Sequence, residues 1–144
     1  LNENYTNFNE IYGKNGFIQF QFYVSEKILI KVLNEISLFY QKNKIHSTFI
    51  ILKKIDEKGK YLNFHGKGIS IGMDVPIKKN FKKLRVFLNN LFIKYKIRIN
   101  FSKDTISSYI YAKNLNGYKE FKKDLYKFNK KRKINSLFSI RSKI

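Results

Sequence analysis

From Phe17 to Val24 the side chains alternate, and this constrains the fold more than any other feature of the chain. Ile18, Phe20, Phe22 and Val24 fall on one side, and Phe17, Gln19, Gln21 and Tyr23 on the other. The pattern predicts a strand with an apolar back and a polar-aromatic front. Ser25 then reads as an N-cap with Glu26 in the first turn. Ile28, Val32, Leu33, Ile36, Phe39 and Tyr40 recur at helical spacing, which predicts a helix to about Lys42. His46 to Lys53 is β-branched and apolar, a strand, followed by a turn over Asp56, Glu57, Lys58 and Gly59. Tyr61 to Phe64 and Ile69 to Val75 read as one interrupted strand, with Gly66 and Gly68 at a bend and Pro76 ending it. Asn80 reads as the cap of a second long helix, striped by Phe81, Leu84, Phe87, Leu88, Leu91, Phe92 and Tyr95. Beyond it come a short strand from Ile97 to Phe101 and a helix capped by Asp104 and running to about Ala112. Another helix spans about Tyr118 to Lys130, and a basic tail from Ser136 to Ile144 has room for one helical turn.

The order β-α-β-β-α-β followed by helices is the split β-α-β arrangement. It predicts an α+β fold, an antiparallel sheet with two helices on one face, followed by C-terminal helices. At 144 residues, 43% hydrophobic and 17% aromatic, the chain can bury a core of this kind. The best candidate boundary lies near Asn100, where sheet gives way to helices. No apolar run approaches the roughly 18 residues of a membrane span. The polar stretch from Leu1 to Asn9 lacks the layout of a signal peptide. There is no cysteine, which excludes disulfides, thiolate metal sites and cysteine nucleophiles within the chain.

The formal charge is +20, which attracts polyanions such as nucleic acid or acidic membrane surfaces. Of the 30 basic residues only Arg85, Arg98, Arg132 and Arg141 are arginine. Lysine comes with an excess of Ile, Asn, Phe and Tyr, the signature of an AT-rich coding sequence, and it is spread over the whole chain. Specific recognition of phosphates and bases leans on arginine forks instead. A solvated lysine surface and a functional polyanion surface both fit these observations.

The candidate sites are individually weak. Gln19 and Gln21 share one side of a strand, where two amides offer donors and acceptors to sugar hydroxyls or a flavin edge. From spacing alone, a solvent-facing strand is the commoner reading. Lys103 precedes Asp104 between a strand and a helix, where its charge would add to that of a helix N-terminus beside an electron-rich ring. Many surface lysines look the same. Lys53 ends an apolar run and either faces the inner sheet surface, which requires a partner, or reaches water. The glycines from Gly66 to Gly72 read as a bend rather than a phosphate loop, since no GK[ST] follows. His46 and His65 are too few for a metal site. Split β-α-β order with high charge also describes the RNA-recognition fold, which stacks bases on aromatics of its third strand. Here Lys67-Gly68 is followed by Ile69, Ser70, Ile71 and Gly72, and the aromatic positions are empty.

Several motifs in order carry a resemblance. Phe8-Asn9, Tyr12-Gly13, Gly16-Phe17 and Gln19-Phe20-Gln21 resemble the start of the last substrate-domain section of the decaprenylphosphoryl-β-D-ribose 2-oxidase family. Leu52-Lys53 resembles that family's strand ending in lysine. Leu62, Phe64 and Gly68 fit its Leu-x-Phe and Gly, Asp74-Val75-Pro76 its Asp-Phe-Pro, and Ser102-Lys103-Asp104 its Ala-Lys-Asp. The order holds over about 100 residues, while the final 40 match loosely, through Phe138-Ser139 among others. Ser70 and Gly72 stand where the family has Asn and Cys, and Asn100 stands near a family aromatic.

The resemblance implies a flavoenzyme of the vanillyl-alcohol oxidase type. Residues 1–100 would then be the end of a substrate domain, and residues 101–144 helices returning to an FAD-binding domain whose pyrophosphate loops lie upstream of Leu1. It implies FAD as cofactor and hydride transfer from a sugar or polyol alcohol carbon to the flavin. By the same resemblance Gln19, Gln21, Lys53 and Ser70 contact substrate, Gln21 also faces the flavin, and Lys103 sits by the flavin pyrimidine edge as the catalytic cation. The expected partners are a sugar or polyol, with a lipid-linked form left open, and the upstream FAD domain. No specific nucleic acid is expected. The expected location is cytoplasmic, with peripheral membrane contact left open. The alternative is a stand-alone basic split β-α-β module that binds nucleic acid.

Overall fold

The computed structural model describes residues 10, 12–78, 80–103, 106–131 and 133–143. Strand β1 (Phe17–Val24) is followed by a 3-10 turn (Glu26–Ile28), helix α1 (Leu29–Asn43), and strands β2 (Phe49–Glu57) and β3 (Gly66–Pro76). Helix α2 (Phe81–Lys94) and strand β4 (Arg98–Ile99) complete the sheet, and a 3-10 turn (Phe101–Lys103) leads out of it. Three short helices end the chain: α3 (Tyr109–Lys113), α4 (Tyr118–Phe128) and α5 (Leu137–Ser142). The sheet is antiparallel throughout, in the order β2-β3-β1-β4, which is the α+β architecture expected from the element order.

The apolar back of β1 explains the layering. Phe20, Phe22 and Val24 are buried beneath Val32 and Ile36 of α1 and Leu84, Leu88 and Phe92 of α2. Each such aromatic or aliphatic side chain removed from water contributes roughly 1.5–3 kcal/mol before entropy is counted. The two helices lock to each other through the stacked rings of Phe39 and Phe87, 4.0 Å apart. Glu35 of α1 adds a second link, accepting from Lys94 and from the hydroxyl of Tyr95.

The C-terminal helices extend this core. Ile106 and Tyr111 belong to the same buried cluster as the sheet. The Tyr111 hydroxyl donates to the carbonyl of Ile97 at 2.8 Å and accepts the Ile99 N–H at 2.9 Å. A smaller cluster joins Leu62, Ala112 and Tyr118.

Several boundaries differ from the sequence reading. Strand β2 runs on to Glu57, because Asp56 and Glu57 pair with Lys67 and Gly66 across the hairpin. Gly66 and Gly68 are therefore rungs of β3 rather than a bend. A Cβ on Gly68 would lie 2.1 Å from the carbonyl oxygen of Val24, so only glycine lets β3 approach the end of β1 there. Tyr61 to Phe64 is a loop, not a strand. Its carbonyls at Tyr61 and Asn63 accept from the buried guanidinium of Arg98 at 3.0 and 2.9 Å, which satisfies the backbone without a ladder. Of the strand expected at Ile97 to Phe101, only Arg98 and Ile99 are in the sheet. Helix α3 is capped by Ser108, whose Oγ accepts the Tyr111 N–H, while the expected Asp104 cap lies outside the described residues. Ser25 and Asn80 make no side-chain cap bond; Asn80 donates to the Asn43 carbonyl instead.

Candidate functional site

Over the first half of β1 the front of the sheet carries the ring of Tyr12, stacked on that of Phe17 at 4.0 Å, and is otherwise open among the described residues. At the other end the loop after β2 closes it, with Tyr23 edge-on to Phe64 at 6.0 Å. In the open part, Gln19 of β1 lies opposite Asp74 of β3 and, beyond it, Phe49 of β2. The next front-facing row is Gln21, Gly72 and Ile51, and the next is Tyr23, Ser70 and Lys53. Gly72 leaves the floor of the middle row without a side chain.

The polar side chains form two connected sets. In the first, the carboxylate of Asp74 accepts from Gln19 Nε2 at 2.9 Å and from the Tyr12 hydroxyl at 3.0 Å. Burial, then the Asp74 carboxylate, holds the Tyr12 phenol above its usual pKa, so it stays a donor. In the second set, Ser102 donates to Asn100 Oδ1 from both its N–H and its Oγ. Asn100 Nδ2 donates to Gln21 Oε1 at 2.8 Å, and Gln21 Nε2 donates to Ser70 Oγ at 2.8 Å. The donors all run toward Ser70, which is buried and keeps its own O–H to give.

The five residues singled out from the sequence converge. Gln19, Gln21, Lys53, Ser70 and Lys103 line one cavity of about 50 Å³, completed by Phe49, Ile51, Gly72 and Asp74. Lys53 comes from the edge strand β2 and Lys103 from the turn after β4, so two exposed cations flank a floor of amides and a hydroxyl. Tyr12, Asp74 and Asn100 are the site members that sequence spacing did not single out as contacts. The pairing of Asn100 with Gln21 joins residues 79 positions apart, with no signal in either local pattern.

Chemically the face can hold hydroxyls or the edge of a polar ring, with positive charge on either side. Asp74, the cavity's carboxylate, is already engaged by two donors. Among the described residues no cluster of His, Cys, Asp and Glu could hold a metal ion. For FAD, the residues fit the ring edge: amides and a hydroxyl to hydrogen-bond it and the Lys103 ammonium to favour its reduced, anionic form. The cavity is too small to enclose the ring system, and none of its residues forms a glycine-rich cradle for a pyrophosphate.

Phe49, Ile50, Ile51 and Leu52 are each more than half exposed along β2, leaving the outer edge of the sheet apolar on both faces. The front positions of β3 are Ser70, Gly72 and Asp74, so that strand offers no aromatic platform for stacked bases. No helix among the described residues is long and apolar enough to cross a membrane. No protein-family model matches the chain, and no curated protein sequence does.

Proposed function

We propose that this chain supplies the substrate side of an FAD-dependent oxidoreductase that converts a sugar or polyol alcohol to a ketone. The observation that carries the reading is the convergence of Gln19, Gln21, Lys53, Ser70 and Lys103 on one cavity. They come from four separate segments, β1, β2, β3 and the turn after β4, and the family resemblance assigns all five to one site.

In this reading Gln19 and the Ser70 hydroxyl bind substrate oxygens, and Lys53 closes on them from the edge strand. Gln21, fixed between Asn100 and Ser70, orients the alcohol. Bound FAD would take up the hydride, and the hydroxyl proton would pass to solvent water as the ketone forms. Lys103 holds positive charge beside the position where negative charge grows. The departures from the resembling family fit together: the amide absent at Ser70 is matched by the amide of Asn100, and both side chains touch Gln21.

The test uses the complete gene product that carries this chain. It should purify with flavin absorbance, and a panel of sugars and polyols should bleach that absorbance anaerobically. Lys103→Ala should slow the bleaching at least about tenfold. Unchanged rates would remove Lys103 from the mechanism. A product that binds no flavin would end the reading.

A further inference from the structure

We propose that the junction of α4 and α5 is a docking surface for an anionic lipid membrane, a proposal that does not rest on the flavin reading. The three most exposed large apolar side chains of the described residues lie here: Phe128 at 89%, Leu137 at 85% and Ile134 at 82%. Phe128 and Ile134 bracket the run Asn129-Lys130-Lys131-Arg132-Lys133, in which Lys130, Lys131 and Lys133 are exposed.

The apolar residues are held outward rather than left over. Asn129 clamps the junction, donating from Nδ2 to the Ile134 carbonyl and accepting the Ile134 N–H at Oδ1. Phe128 and Ile134 are thereby kept at one end of α4. In α5, Phe138 packs against Phe101 with ring centres 4.7 Å apart, and Ser142 is buried. That anchoring turns Leu137 and Ile140 toward solvent. From Tyr118 to Lys143 the basic residues number ten against the two carboxylates of Glu120 and Asp124, and Asp124 is already paired with Lys127 at 2.8 Å.

This combination selects among polyanions. Lysines around a membrane-facing tip attract acidic headgroups, and aliphatic side chains gain only where they can leave water for acyl chains. A nucleic acid would favour aromatic faces and arginine forks instead. Here Ile134, Leu137 and Ile140 are aliphatic, and Phe128 is the one ring among the four exposed apolar side chains named at the junction.

The experiment is co-sedimentation of the full chain with vesicles of phosphatidylcholine, with and without phosphatidylglycerol. The expected result is at least about tenfold tighter binding to the anionic vesicles, weakened by salt. The triple variant Phe128→Ser, Ile134→Ser, Leu137→Ser keeps every charge and changes only exposed side chains. It should lose at least about tenfold on anionic vesicles while its circular dichroism and melting are unchanged. Lys130→Glu, Lys131→Glu, Lys133→Glu should lose the preference for phosphatidylglycerol. Equal binding to both vesicle types, or a triple serine variant that binds as well as the parent, would overturn the proposal. So would single-stranded RNA that binds this surface more tightly than the vesicles and is released by the same serine variant. Vesicle binding by a product without flavin would overturn the enzymatic reading alone.

Discussion

Asn100 holds Gln21 by two bonds: its backbone N–H donates to the Gln21 carbonyl at 2.7 Å, and its Nδ2 donates to the Gln21 side-chain oxygen at 2.8 Å. The last residue before the 3-10 turn thus sets both the register of β4 and the orientation of the central amide of the site. Ser102 fixes Asn100 from the other side. Gln21 then has its nitrogen committed to Ser70, so the three residues behave as one unit.

Asn100→Ala and Ser70→Ala should therefore be coupled. Each single variant should cost about 1 kcal/mol in urea unfolding, and the double variant should depart from additivity by about 0.5 kcal/mol or more. Strict additivity would show that Gln21 does not transmit between them.

Two glycines of β3 should respond differently. Gly68→Ala drives a Cβ into the Val24 carbonyl and should cost about 1–3 kcal/mol through backbone displacement. At Gly72 the nearest atom to a new Cβ is the Ile51 Cβ at 4.0 Å, so Gly72→Ala should change stability by no more than about 0.5 kcal/mol. Its methyl fills the cavity floor, and in the complete gene product it should raise the KM for substrate. Unfolding midpoints of the two variants, with the KM of the second, check the pair.

Tyr111→Phe removes a hydroxyl that satisfies both a backbone N–H and a carbonyl in the core. Leaving both unpaired should cost about 2–3 kcal/mol. A loss under about 0.5 kcal/mol would mean that water replaces the hydroxyl.

Glu35 makes stability depend on pH. The Tyr95 hydroxyl and then Lys94 hold its carboxyl below the ordinary value of 4.5 in the folded chain. A depressed carboxylate contributes stability above its unfolded pKa, and that contribution is lost as pH falls through the folded pKa. Stability should thus decline below about pH 4.5, and Tyr95→Phe should make the decline shallower. Melting temperatures from pH 6 down to pH 3, on the order of six points per variant, would show this; identical slopes would rule Tyr95 out as the cause.

The back face of β1, the two long helical stripes and the order of the elements along the chain were legible in the sequence, because burial imposes a period on neighbouring residues. Gln19 and Gln21 were legible for the same reason, as the interleaved positions of that strand. Local pattern could not show that Lys53 and Lys103 come to the same cavity, or that Asn100 orients Gln21. Those relations depend on hairpin register and on which strands are neighbours, and register is set by the packing of the whole sheet. The loop at Tyr61 to Phe64 failed as a strand for a related reason: its carbonyls found Arg98, a partner no local pattern reveals. What the sequence by itself determined was therefore which residues face the core and which face the open side. Only the tertiary structure decided which of the open-side residues meet, because meeting requires segments far apart in the chain to pack in one register.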